Sequence, residues 1–117
     1  DLDISIVHHN TPVAILRNDS LCGRILNVRL HGTASCRSAI GTKVRVSNGK
    51  STWRQELAGG TSYAASHEKV LNFGLGEIPG ELNLEVCWAT GKCENFTVAE
   101  GARTVEILEG RGIVRQE

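Results

Sequence analysis

Apolar and polar residues alternate with a period of two along most of this chain, in short runs broken by Gly, Asn or Ser. That period places successive side chains on opposite faces of a strand. Leu26, Val28 and Leu30 alternate with Asn27, Arg29 and His31, and Val44 and Val46 with Lys43, Arg45 and Ser47. Leu82, Leu84, Val86 and Trp88 form another inward row, with Asn83, Glu85 and Cys87 outward. Phe96 and Val98 point in, and Val105 and Ile107 make a last clear strand. Ile113 and Val114 read either as a short edge strand or as part of a tail. Near the start, 4–7 and 13–17 are two more strands, joined by the polar turn His8-His9-Asn10-Thr11-Pro12. The best helical candidate, 62–71, follows a Gly-Gly pair and reads as a long loop. Eight to ten short strands with turns at this spacing predict an all-β chain, an antiparallel β-sandwich or barrel-like domain.

Two hairpins have local signatures. Asn48-Gly49 is a strong two-residue turn signal, and its register pairs Ser47 with Lys50 and Val44 with Trp53. Around Cys87-Trp88-Ala89-Thr90-Gly91-Lys92-Cys93, a three-residue loop puts Gly91 at a left-handed position and Trp88 opposite Lys92. Cys87 then faces Cys93 in a non-hydrogen-bonded pair, where Cα atoms approach to about 4.5 Å, within disulfide reach. Cys22 and Cys36 remain, and a bridge between them would close a short loop, roughly 3 kcal/mol in the chain-entropy account. Two disulfides imply an oxidising compartment, whereas four buried thiols would imply the cytosol. No Cys pair has the spacing of a zinc ribbon.

Composition then narrows the function. The 117 residues carry thirteen Lys+Arg against thirteen Asp+Glu, a formal charge of zero, which argues against a nucleic-acid partner. No apolar run is long enough to insert in a membrane. Methionine is absent even at position 1, so the sequence is read as a piece of a longer reading frame. A composition shift at 18–23 divides it into a strand pair and linker (1–23), a continuous β unit (24–109) and a C-terminal tail (110–117).

Three ordered stretches carry a family resemblance. Gly32-Thr33-Ala34-Ser35-Cys36-Arg37-Ser38-Ala39-Ile40-Gly41-Thr42-Lys43-Val44 resembles the opening motif of the ASPIC/UnbV domain. Gly59-Gly60-Thr61-Ser62-Tyr63 with Ser66, then Asn72-Phe73-Gly74-Leu75-Gly76, resembles its central motif, and Leu84-Glu85-Val86-Cys87-Trp88 with Gly91 its later strand and turn. Cys36 stands where Asn is usual, and Ala89-Thr90 where Pro-Ser is. Residues 1–20 are similar to the end of an FG-GAP/VCBS propeller repeat, Asp1-Leu2-Asp3-Ile4 to the tail of its calcium loop and Ile15-Leu16-Arg17-Asn18-Asp19 to its ending. The resemblance implies a module that follows a β-propeller of the same parent chain, secreted to an extracellular or periplasmic location.

Candidate chemistry is sparse. By the same resemblance Asp1 and Asp3 are candidate ligands of a Ca2+ loop whose upstream acidic residues are missing here, so no cofactor is expected in this chain, and a calcium site is an expectation for the parent protein only. His8 and His9, adjacent on a strand, point to opposite faces and share no metal; His31 and His67 are unplaced. Ser62 or Ser66 with His67 and Glu68 supplies hydrolase residue types, but no nucleophile-elbow pattern surrounds them. Asn18-Asp19-Ser20 and Asn95-Phe96-Thr97 are glycosylation triplets. The glycine- and hydroxyl-rich loop Gly59, Gly60, Thr61, Ser62, Tyr63 with Ser66 is the binding candidate, because an exposed tyrosine among small hydroxyl residues suits recognition of a protein or glycan. The competing reading packs Tyr63 over the end of the sandwich. With Trp53 and Trp88 on inward rows, the few aromatics offer no stacking platform. The expectation is a non-enzymatic interaction or structural module; the alternatives are a calcium-associated adhesion fragment and an enzyme of unknown type.

Overall fold

The computed structural model describes residues 2–21 and 23–117. Its strands are β1 (Ile4–Ile6), β2 (Ala14–Leu16), β3 (Arg24–His31), β4 (Lys43–Ser47), β5 (Thr52–Glu56), β6 (Val70–Gly76), β7 (Leu82–Cys87), β8 (Cys93–Val98), β9 (Thr104–Leu108) and β10 (Gly112–Gln116). β1 and β2 form a hairpin of their own. The other eight form two four-stranded sheets, ordered β10-β9-β3-β6 and β5-β4-β7-β8. Neither sheet closes on itself, so the architecture is a sandwich.

The core lies between those sheets. Leu26, Val28 and Leu30 of β3, Leu71, Phe73 and Leu75 of β6, and Val105 and Ile107 of β9 face Val44, Val46, Leu82, Leu84, Val86, Trp88 and Val98. All are buried. Each such aliphatic side chain contributes roughly 1.5–3 kcal/mol by leaving water. Alternation thus placed the inward rows of β3, β4, β7 and β9 correctly. Trp53, on the edge strand β5, is only partly buried against that core. Arg24 ties the layers at one end, donating to Gly80 O (2.7 Å), Ile78 O (3.3 Å) and Ala99 O (3.2 Å). Gln55 Nε2 donates to Asn72 O at 2.8 Å and joins β5 to β6 across an open side.

Four features differ from the sequence expectation or extend it. The β4–β5 hairpin pairs Ser47 with Thr52 and Val46 with Trp53, not Ser47 with Lys50 and Val44 with Trp53. Asn48 causes this: its Oδ1 accepts from Lys50 N (3.0 Å) and Ser51 N (2.7 Å), so the side chain holds a four-residue loop open. The slip is two residues, which keeps every side chain on its own face. β6 begins inside the stretch that reads as a loop, because Gly74 and Gly76 dilute its strand character. β3 and β9 pair in parallel, Asn27 opposite Thr104 through His31 opposite Leu108. Alternation marks strands but carries no information on their partners. Of the two readings open for Ile113 and Val114, the edge strand is the one formed, as β10 against β9.

Candidate functional site

The loops at one end of the sandwich carry most of the polar side chains that the sequence singles out. The opening-motif loop leaves β3 through Gly32. A Cβ there would lie 2.1 Å from Cys36 O, so only glycine fits. The next three backbone N–H groups converge on one carboxylate oxygen: Thr33 N (2.8 Å), Ala34 N (3.0 Å) and Ser35 N (2.7 Å) all donate to Glu109 Oε2. Ser35 Oγ (3.0 Å) and Thr90 Oγ1 (3.4 Å) donate to Oε1, and Thr33 Oγ1 to the Glu109 carbonyl (3.1 Å). Glu109 is 4% exposed. Burial raises its carboxyl, yet the N–H groups of Ser35 and Thr33, the Ser35 hydroxyl and the Ala34 N–H outweigh that and hold it below its ordinary value. Sequence reasoning did not single out Glu109. Its signal was parity: it continues the inward phase of Val105 and Ile107, one residue past β9.

The Cys87–Cys93 hairpin adjoins this loop. Its disulfide is present, with Cα atoms 4.0 Å apart. Trp88 N donates to Lys92 O and Gly91 N to Trp88 O, both at 2.8 Å, and Gly91 has φ 93°. The loop length, the register and the left-handed glycine all follow the sequence reading. The buried Trp88 directs Nε1 to Glu94 Oε2 at 2.5 Å. Cys36 is an exposed free thiol. Its expected partner Cys22 lies outside the described residues, as does Asp1. The Ser38 hydroxyl, then the Ile40 N–H, lower the Cys36 thiol against a small opposing effect of burial, and the Ala39 and Ser38 N–H groups add to the lowering.

Gly59, Gly60, Thr61, Ser62, Tyr63 and Ser66 lie together on one exposed loop. Tyr63 is 98% exposed, so it does not pack over the sandwich end. Ala64 holds a left-handed φ of 50° beside it, and Ser62 bridges to Ala65. Lys69, absent from the sequence candidates, pins the base of the loop: Nζ donates to Gly59 O (2.6 Å), Ser66 Oγ (2.8 Å) and Ala58 O (3.4 Å). Ser66 Oγ in turn donates to Gly59 O at 3.1 Å. Ser66 and Lys69 therefore shape the loop, leaving Thr61, Ser62 and Tyr63 at its tip. Glu68 is turned to Arg29 rather than to His67.

Asp3 accepts from Asn18 N at 2.9 Å. Among the described residues no three His, Cys, Asp or Glu side chains converge as a metal site. His31 pairs with Glu106 at 2.6 Å, and His8, His9 and His67 are exposed. Asn95 and Thr97 of the second glycosylation triplet are exposed on edge strand β8.

The family described as ASPIC and UnbV matches residues 32–114. The chain belongs to the ASPIC and UnbV family. No curated protein and no solved structure matches it. The ASPIC and UnbV match opens at Gly32, the residue that the Cys36 carbonyl excludes from substitution, and runs into β10. It thus takes in the Glu109 cradle, the Tyr63 loop and the disulfide hairpin. The likeness of residues 1–20 to a propeller repeat rests on those residues alone.

Proposed function

We propose that this ASPIC and UnbV chain is a non-enzymatic interaction and structural module that docks in cis against a β-propeller in an extracytoplasmic protein. The observation that carries this reading is the β1–β2 hairpin. Ile4 and Ile6 share a face with Ala14 and Leu16, and Ile15 lies on the other face with Ser5. Val7 and Val13 continue that second face by parity. Ile4 is 59% exposed, Leu16 53% and Ile15 74%. A two-stranded ribbon does not stand alone in water, and an apolar exposed ribbon is an aggregation hazard. Strands apolar on both faces belong inside a larger sheet covered by layers on each side. A propeller blade meets that requirement, with neighbouring blades stacked against it.

The disulfide supports an oxidising extracellular or periplasmic location. The Tyr63 loop, pinned at its base and open at its tip, is the surface offered to a protein or glycan. Hydrogen exchange tests the docking. In the isolated chain, the amides of 4–6 and 14–16 exchange within seconds. In the gene product that carries the preceding sequence they are protected at least a hundredfold more. Equal exchange in both would remove the reading.

A further inference from the structure

The outer face of the β10-β9-β3-β6 sheet holds a cleft of about 470 Å3, bordered by Leu2 of the segment that leads into β1. Its floor is one cross-strand row. Asn72 of β6 stands opposite Asn27 of β3, which stands opposite Thr104 of β9. All three are half-buried. Their side chains are nearly unspent: among the described residues the row's one side-chain bond is a 3.4 Å contact from Asn72 Nδ2 to Val70 O. The Arg29–Glu68 ion pair also lines the cleft. Beside Thr104 lies Arg103, whose backbone N–H is fixed on Glu117 O. Its guanidinium has no partner among the described residues. Ile25, Val70 and Leu2 supply the apolar surface, and no aromatic lines the cleft.

The volume falls in the range of small-molecule sites, which combine apolar walls with a few convergent polar groups. Each side-chain amide offers donors and an acceptor. Adjacent strands stand about 4.8 Å apart, close to the separation of alternate hydroxyl oxygens around a pyranose ring. An unpaired guanidinium selects a carboxylate, which it grips with two parallel bonds. Glu68 disfavours a ligand of higher negative charge. We propose that this cleft binds a hexuronic-acid residue, with its carboxylate on Arg103 and its ring hydroxyls on Asn27, Asn72 and Thr104. This goes beyond the docking role and does not depend on it.

The test is an amide chemical-shift titration of the whole chain with galacturonate, tetragalacturonate, galactose and inorganic sulfate. Galacturonate or its tetramer shifts the amides of 27, 72, 103 and 104 and binds at least tenfold more tightly than galactose or sulfate. Binding of the tetramer alone identifies a polysaccharide source, and equal binding of both a free sugar. Arg103→Gln, which removes no side-chain hydrogen bond or ion pair among the described residues, weakens the acidic sugar at least tenfold. Asn27→Asp, which brings a negative charge to the floor, does the same. Equal binding of galactose and galacturonate, sulfate binding as tightly at the same amides, no shift at these residues, or an inert Arg103→Gln each overturns the proposal. None of these outcomes bears on the hairpin exchange experiment, so the two readings fail separately.

Discussion

Replacing Glu109 perturbs the opening-motif loop at the carboxylate that gathers its N–H groups. In Glu109→Gln the amide oxygen keeps the three N–H donors of Thr33, Ala34 and Ser35 but loses the charge. A hydrogen bond to a charged group contributes about 1.5–3 kcal/mol net, and a neutral one about 0.5–1.5. Three such reductions, lessened because Thr33 and Ala34 are exposed to water, come to about 2 kcal/mol. Glu109→Ala leaves the donors without any acceptor, and the loop opens to water at a cost of about 3 kcal/mol. Urea denaturation reads both as a lower midpoint with an unchanged slope. The pH dependence gives a second check. The folded carboxyl lies below its ordinary value of 4.5, so its stabilisation is complete above about that pH. The contribution is lost as pH falls through the lower folded value. The gap between wild type and Glu109→Gln is therefore full at pH 7 and closes in acid. A Glu109→Gln protein within about 0.5 kcal/mol of wild type at pH 7, the ordinary range for an inconsequential surface change, would refute the cradle as an anchor.

Three further outcomes follow from the same geometry. The disulfide closes a loop with a sequence separation of 6, so Cys87→Ser with Cys93→Ser lowers stability by about 2 kcal/mol in the chain-entropy account; an unchanged urea midpoint would show that the hairpin's hydrogen bonds suffice. Gly32→Ala drives a Cβ into the Cys36 carbonyl and costs about 2 kcal/mol or more, whereas Gly49→Ala, with open space around it, costs about 1; equal melting temperatures for the two variants would contradict the close approach. Iodoacetamide modifies Cys36 with a half-maximal pH below that of free cysteine, and Ser38→Ala raises it. Peptide mapping that finds Cys36 blocked until reductant is added would instead restore the Cys22–Cys36 bridge.

Most of the sandwich was legible because burial in a sheet writes a period of two into the sequence. Leu26, Val28, Leu30, Leu84 and Val86 needed nothing more. The disulfide hairpin was legible because its turn is local, with Gly91 where the loop requires φ above zero. The β4–β5 register was not, since Asn48 uses its side chain as a backbone substitute and sequence patterns weigh only the Asn-Gly dipeptide. β6 escaped notice because its outward positions include glycines. The Glu109 cradle joins residues 33–35 to residue 109, and nothing local in either segment announces the other. The family match closes part of that gap, since it spans both. The parallel contact of β3 and β9 is equally a property of the closed fold.

Residues 24–117 fold as a sandwich in their own right, while the apolar hairpin before them awaits another surface. Truncation to residues 24–117 tests it in one comparison of urea midpoints, with binding of a fluorescent apolar dye recorded alongside. The expected result is a midpoint within about 0.5 kcal/mol of the longer chain and a marked loss of dye binding. A truncated chain destabilised by several kcal/mol, or one that binds as much dye as before, would contradict it.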